Sequence, residues 1–279
     1  MPALEWANVK DPHETVMRGK PIGGLVKIDS QHEHRSNHHH HSHADGLSSL
    51  QGAPIGNHPH SELIRRDISF RRITSAQDPA LDSFVGVYQD AFGGAPYYEK
   101  FDAQFVREKV WQAHQGQLIL VAEEKGKTIG LLCAHRVSEG NISPSACGFI
   151  KEQFGPVLND RGSLYFSELA VAPTHQRLGV GSVLVASALS WATENLISKF
   201  ILRTAAEGSN SAGIFKKFGA QALPMTQEVK SAEAGGPESA SNKRVYLAGD
   251  SDWHGDYLAR LEGRVDSSII DARAPLCHA

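Results

Sequence analysis

The stretch Leu169-Ala-Val-Ala-Pro173-Thr-His-Gln176-Arg-Leu-Gly179-Val-Gly181-Ser182 restricts the fold more than any other part of the chain. It reads as a buried strand ending at Pro173, a polar turn, and two glycines that open a helix. That helix, Gly179 to Asn195, carries Val180, Leu184, Leu189 and Trp191 among its apolar positions. Main-chain N–H groups at a helix start have no intrahelical partners, and the helix dipole favours an anion there. Glycines let a phosphate approach the backbone with no Cβ in the way. Gln176 and Arg177 add donors at the rim. Physically, this is a site for a pyrophosphate.

Two common phosphate-binding designs fail on spacing. A dinucleotide fingerprint needs a third glycine after Gly179 and Gly181, where Leu184 stands. A P-loop ending in Gly126-Lys127-Thr128 needs a glycine where Val121 stands, so that triplet is a hairpin turn.

Around this segment the chain has three parts. Residues 1–62 lack helical or alternating periodicity and hold nine of the fifteen histidines between His32 and His60. Such a segment buries too little apolar surface to offset its ordering entropy, so a disordered histidine-rich arm is expected. Ordered elements are expected from 67 to 250, in the order β-α-α-β-β-β-α-β-α-β-β. The helix after Asp78-Pro79 carries Leu81, Phe84, Val85, Tyr88 and Phe92, and a second spans about Ala103 to His114. Strands follow at 117–123, 128–137, 165–171, 200–203, 222–229 and 244–247, with a helix at 210–218. The segments 138–162 and 230–243 read as long loops, and 251–279 as a partly disordered tail.

The spacing Gln176-x-x-Gly179-x-Gly181 resembles the acetyl-CoA pyrophosphate loop of the GNAT N-acetyltransferase family, and Leu169-Ala-Val171 resembles that family's fourth strand. The order of elements is similar from about 67 to 250. The resemblance implies an α+β fold: a mixed, mostly antiparallel central sheet, splayed between strands 4 and 5 and flanked by helices. It implies acetyl-CoA as co-substrate, bound by Leu169, Ala170, Val171, Gln176, Arg177, Leu178, Gly179, Val180, Gly181 and Ser182. It further implies direct attack of a neutral amine on the thioester, with no metal and no acyl-enzyme.

Such a reaction needs a base, oxyanion donors and often an acid for the thiolate. Glu168 is the candidate base, because a carboxylate within Leu164-Tyr-Phe-Ser-Glu-Leu-Ala-Val171 has little reason to be there for packing. Partial burial would raise its pKa. Regular alternation puts Phe166, Glu168 and Ala170 on one face of the strand. Asn210-Ser-Ala-Gly-Ile-Phe215-Lys-Lys-Phe-Gly219 resembles the family segment whose tyrosine protonates the CoA sulfur, but Phe215 has no proton to give. Either the thiolate leaves unassisted, or Tyr165, Tyr97, Tyr98 or water serves. Asn210 and Phe215 stay expected CoA contacts, with capping and core packing as the alternative. Tyr97, Tyr98 and Glu99 are candidate substrate residues, two flat walls and an attraction for an ammonium group.

Composition narrows the partners. The net charge of −3 gives no electrostatic reason to expect nucleic acid or a membrane surface. No apolar run approaches the length of a spanning helix, and the first residues do not read as a secretory signal. Cys133, Cys147 and Cys277 are odd in number and lack ligand spacing, which suits a reducing cytoplasm. The run His38 to His43 binds divalent metal incidentally, without the geometry of a defined site. The expected activity is acetyl transfer to a primary amine of a small molecule, with a homodimer allowed. The alternatives are a protein N-acetyltransferase, a non-catalytic acyl-CoA-binding module, or a metal carrier using the arm.

Overall fold

The structure is a computed structural model that describes residues 60–107, 118–137, 162–228, 243–261 and 263–269. Residues 1–59 of the arm expected at 1–62, residues 138–161 and 229–242 of the expected loops, and the second half of the Ala103–His114 helix lie outside the described residues, whereas Ser61 and Glu62 begin a helix.

Seven strands form one sheet: β1 Ser69–Ile73, β2 Leu118–Glu124, β3 Lys127–Arg136, β4 Leu164–Val171, β5 Lys199–Ala205, β6 Gln221–Glu228 and β7 Lys243–Asp250. Their spatial order is β1-β2-β3-β4-β5-β7-β6. Every neighbouring pair is antiparallel except β4–β5. The helices are α1 Ser61–Arg65, α2 Ala80–Gly93, α3 Ala103–Phe105, α4 Val180–Glu194, α5 Asn210–Lys217 and α6 Gly255–Ala259. This is the expected mixed, mostly antiparallel sheet flanked by helices.

The near-continuous apolar run of β2 and β3 follows from helices covering both faces of the sheet. On one face Leu118, Leu120, Leu132 and Phe166 pack against Val183, Leu184 and Trp191 of α4. On the other, Ile119, Val121, Leu131 and Cys133 pack against Phe84, Val85 and Tyr88 of α2. Asp78 supplies a helix-start acceptor: its carboxylate takes the Ala80 N–H at 2.9 Å.

The domain is longer at both ends than its sequence pattern indicates. Leu63 of α1, Leu261 and Ile269 are fully buried in the α4-side core. The backbone of Phe70 receives and gives hydrogen bonds with Arg264 and Asp266. Residues 251–261 and 263–269 are therefore packed structure, not tail. The apolar spacing Tyr257, Leu258, Leu261 is the helical signal for this segment.

Candidate active site

Strands β4 and β5 pair only through Leu164↔Phe200, Tyr165↔Ile201 and Phe166↔Leu202. Beyond that point β4 runs on to Val171 against β3 alone, and β5 runs on to Ala205 against β7 alone. A wedge opens between them. The main chain of Leu169, Ala170 and Val171 lines it.

Strand β4 also carries an extra residue. Cys133 pairs with Glu168 and Ala134 with Phe166, which leaves Ser167 bulged. Its hydroxyl donates to the Cys133 carbonyl at 3.1 Å. The bulge breaks the expected alternation: Phe166 turns to the α4 side, whereas Ala170 packs on the α2 side. The expectation that Phe166, Glu168 and Ala170 share one face is corrected accordingly. A bulge shifts the period by one, and nothing in the residue types announced it.

After β4, Pro173–His175 forms a single 3-10 turn, and α4 begins at Val180. Gly179 holds φ of +96° at the helix cap, and Arg177 takes φ of +65° in the turn before it. No side chain caps the helix, so the first-turn N–H groups remain available. At Gly181 an added Cβ would lie 2.8 Å from Ile214 Cδ1, so close packing on α5 explains this glycine. Gln176, Arg177, Gly179, Val180, Gly181, Ser182 and Asn210 line a cleft of about 330 Å³ with the free stretch of β4. Leu178 packs against the core instead. The Gln176 amide donates to the Val171 carbonyl at 3.2 Å and ties the turn back to the strand.

His175 lines the same cleft and was not singled out from sequence. Its Nε2 lies 2.9 Å from Glu124 Oε2 and 2.9 Å from Arg66 Nη2, while Thr174 Oγ1 is 2.7 Å from Nδ1. Arg66 also forks onto Glu124 at 2.7 and 3.0 Å. Hydrogen bonds from Arg66 and His175 hold the Glu124 carboxyl down to about 2. The turn is thus fastened to the end of β2.

Glu168 sits on β4 two residues past its last pair with β5, next to the cleft-lining residues Leu169 to Val171 but not itself among them. Burial pushes its carboxyl up to about 8, and the charge of Glu99 adds to the rise. A hydrogen bond with the Tyr88 hydroxyl and the charge of Arg203 act against it. Tyr88 is itself pushed well up, by burial first and then by Glu168, so it remains a protonated donor. Glu99 is already partnered: Arg244 Nη2 reaches Oε1 at 3.2 Å, and both side chains are largely buried. Its carboxylate therefore shapes the field around Glu168 rather than standing open to solvent. The Arg244 guanidinium lies 5.2 Å from the centre of the Tyr97 ring, and Tyr97 lines the cleft. Tyr98, at φ of +51°, does not line it.

Phe215 is 1% exposed and packs edge-on against Phe166, ring centres 4.8 Å apart. The expected CoA contact is a core residue, set by its place on the inner side of α5. Among the described residues, no group of three or more His, Cys, Asp or Glu is placed to hold a metal ion. Nor is any helix there long and apolar enough to cross a membrane.

The family model of the acetyltransferase (GNAT) family matches residues 81–220. That span runs from α2 through the cleft to the end of α5, and the chain belongs to this family. It is an N-acetyltransferase, with acetyl-CoA as its co-substrate. Similar solved structures include a ribosomal-protein-alanine N-acetyltransferase from Brucella melitensis, at 17% identity and TM-score 0.47. The match covers 65% of this chain and 98% of that one. An N-acetyltransferase from Staphylococcus aureus Mu50 has 15% identity and TM-score 0.47, over 66% and 99% of the two chains. A putative acetyltransferase from Salmonella typhimurium, solved with its cofactor acetyl-CoA, has 15% identity and TM-score 0.45, over 67% and 95%. No curated protein matches the chain.

Proposed function

We propose that this chain transfers the acetyl group of acetyl-CoA to a primary amine of a small molecule by direct attack, with Glu168 accepting the amine's proton. The observation that carries this reading is the Glu168 carboxyl on the stretch of β4 beyond its pairing with β5, hydrogen-bonded to Tyr88 and raised by burial to about 8. A base with a pKa near the working pH is both ionised in part and strong enough to take a proton.

The donor end supports the same reading. The uncapped N–H groups of Val180, Gly181 and Ser182, at the positive end of a fifteen-residue helix, suit a pyrophosphate. The main chain of Leu169, Ala170 and Val171 suits an amide-bearing arm, and Asn210 adds a polar side chain to the wall. Phe92, Pro96 and Tyr97 line the cleft, and a cleft of about 330 Å³ favours a small amine over the surface of a folded protein.

The test is CoA release from acetyl-CoA with a panel of small primary amines and, in parallel, short peptides with free α-amines. Turnover with a small amine supports the proposal. Turnover confined to peptides moves the acceptor to protein N-termini. Tight acetyl-CoA binding without release, over the whole panel, would mark a non-catalytic module and reject it.

A further inference from the structure

Phe215 leaves the departing thiolate without its expected proton donor, and the wedge supplies another hydroxyl. The chain has six tyrosines, all among the described residues. Tyr88 is engaged with Glu168, and Tyr246 is fully buried. Tyr165 sits where β4 and β5 are still paired, its ring 5.3 Å from that of His135. Tyr257 bonds to Ser182 at the phosphate end, and Tyr98 lies outside the cleft lining. Tyr97 remains, with its ring in the cleft wall.

Its surroundings suit proton delivery. The Tyr97 hydroxyl lies 3.1 Å from Thr204 Oγ1, on the stretch of β5 beyond the splay. Thr204 Oγ1 is also 2.6 Å from Ser209 Oγ and 3.0 Å from Ser211 Oγ, which lie 2.8 Å from each other. A hydroxyl has one proton and two lone pairs, so three neighbours use Thr204 fully. When Thr204 donates to the Tyr97 oxygen, the phenol's own proton is left for the cleft. Ser209 and Ser211 reach the cleft wall, so the chain of hydroxyls leads from Tyr97 to the cleft. Ring contacts fix the phenol: Phe92 at 5.4 Å between centres, and the Arg244 guanidinium at 5.2 Å.

We propose that Tyr97 is the acid that protonates the leaving CoA sulfur, from the loop after α2 rather than from α5, with Thr204 as its positioning partner. This rests on the acetyl-transfer reading above. The amine nitrogen bonds to the thioester carbon, and its proton goes to Glu168. The C–S bond breaks with its electron pair on sulfur, which takes the proton of Tyr97. Tyrosinate recovers a proton from cleft water through Thr204, Ser209 and Ser211, while Glu168 returns one to solvent. The sum is amine plus acetyl-CoA giving amide plus CoA thiol, with nothing oxidised or reduced.

Tyr97→Phe keeps the ring and its contacts and removes only the hydroxyl. The turnover number at saturating substrates should fall by about 100-fold, the low end for one lost general acid. Acetyl-CoA affinity by calorimetry should stay within about twofold, because the phosphate end is untouched. Turnover of the variant should also rise with the concentration of a small buffer acid such as imidazolium at fixed pH, while the wild type stays flat. A merely structural role produces no such buffer dependence. Normal turnover in Tyr97→Phe, or a loss confined to KM for the amine, overturns the proposal. If Tyr97→Phe fails to fold, Thr204→Val takes its place, with turnover reduced by about 3- to 10-fold, the scale of one lost hydrogen bond, and unchanged turnover there overturns it equally. A wild-type protein that releases no CoA with any amine brings down the acetyl-transfer reading first, and this inference with it.

Discussion

At the end of the cleft proposed to hold the pyrophosphate, the lining comes from one continuous segment, residues 175–182, with two glycines and an uncapped helix start. At the chemical end the groups are side chains gathered from α2, the loop after it, β4, β5, α5 and β7. The first end depends on backbone conformation, so it should be more sensitive to changes at glycine than to changes of side chain. The second depends on charge and burial, so a change of one atom type alters its chemistry while the fold persists. Substitutions at the two ends should therefore separate cleanly into effects on acetyl-CoA affinity and effects on the chemical step.

The largest effect should come from Glu168→Gln, which keeps shape and removes the proposed base. Turnover should fall by about 10²–10⁴-fold, the usual share of general base catalysis. Acetyl-CoA affinity measured by calorimetry should hardly change. A variant that turns over normally at saturating amine, with only KM raised, would instead make Glu168 an ammonium-binding group.

Gly179→Val should do the reverse. Its φ of +96° costs a side-chain-bearing residue about 1–2 kcal/mol, and the added methyls obstruct the approach to the helix start. Acetyl-CoA affinity of the folded variant should weaken by about tenfold or more, a loss of about 1.4 kcal/mol from the obstructed approach. Unchanged affinity would remove this turn from the phosphate site.

A milder loss is expected for His175→Gln, which breaks the fastening of the turn to Glu124 and Arg66. One hydrogen bond of about 0.5–1.5 kcal/mol corresponds to roughly a twofold to tenfold weaker acetyl-CoA complex. Turnover at saturation should be near normal, and a turnover defect would show that the two ends are coupled.

Stability should respond more gently. The Glu168 carboxyl rises from an ordinary 4.5 to about 8 in the folded protein, so the folded state binds the proton more tightly. Its contribution is complete below pH 4.5 and is lost as pH rises through about 8. The melting temperature of the wild type should therefore fall relative to Glu168→Gln between pH 5 and pH 9. Parallel melting curves across that range would mean the carboxyl is not buried.

The same division governs what could be read from the sequence. The pyrophosphate turn is local, so strand, proline, glycines and helix stand in reading order, and each has a positional meaning. The sheet was legible for the same reason, through strand patterns at 117–123, 128–137 and 165–171. The bulge at Ser167 was not, because an inserted residue leaves no compositional trace and reverses the faces before it. The pairing of Glu99 with Arg244 joins residues far apart in the chain, so Glu99 read as an open acidic group. Phe215 read as a ligand contact from its place in a motif, whereas its neighbours Phe166 and Phe200 place it in the core. The C-terminal helix was missed because five residues fall below the length at which periodicity is persuasive.

The most direct test is the pH dependence of kcat/KM for the amine, expressed per concentration of neutral amine, in the wild type and in Glu168→Gln. With the amine's own ionisation divided out, the wild-type rate should rise with pH and level off above about 8, because only the ionised carboxylate accepts the proton. The Glu168→Gln profile should be lower and flat across the same range. A rise near 8 that survives in Glu168→Gln would assign it to another group and contradict Glu168 as the base.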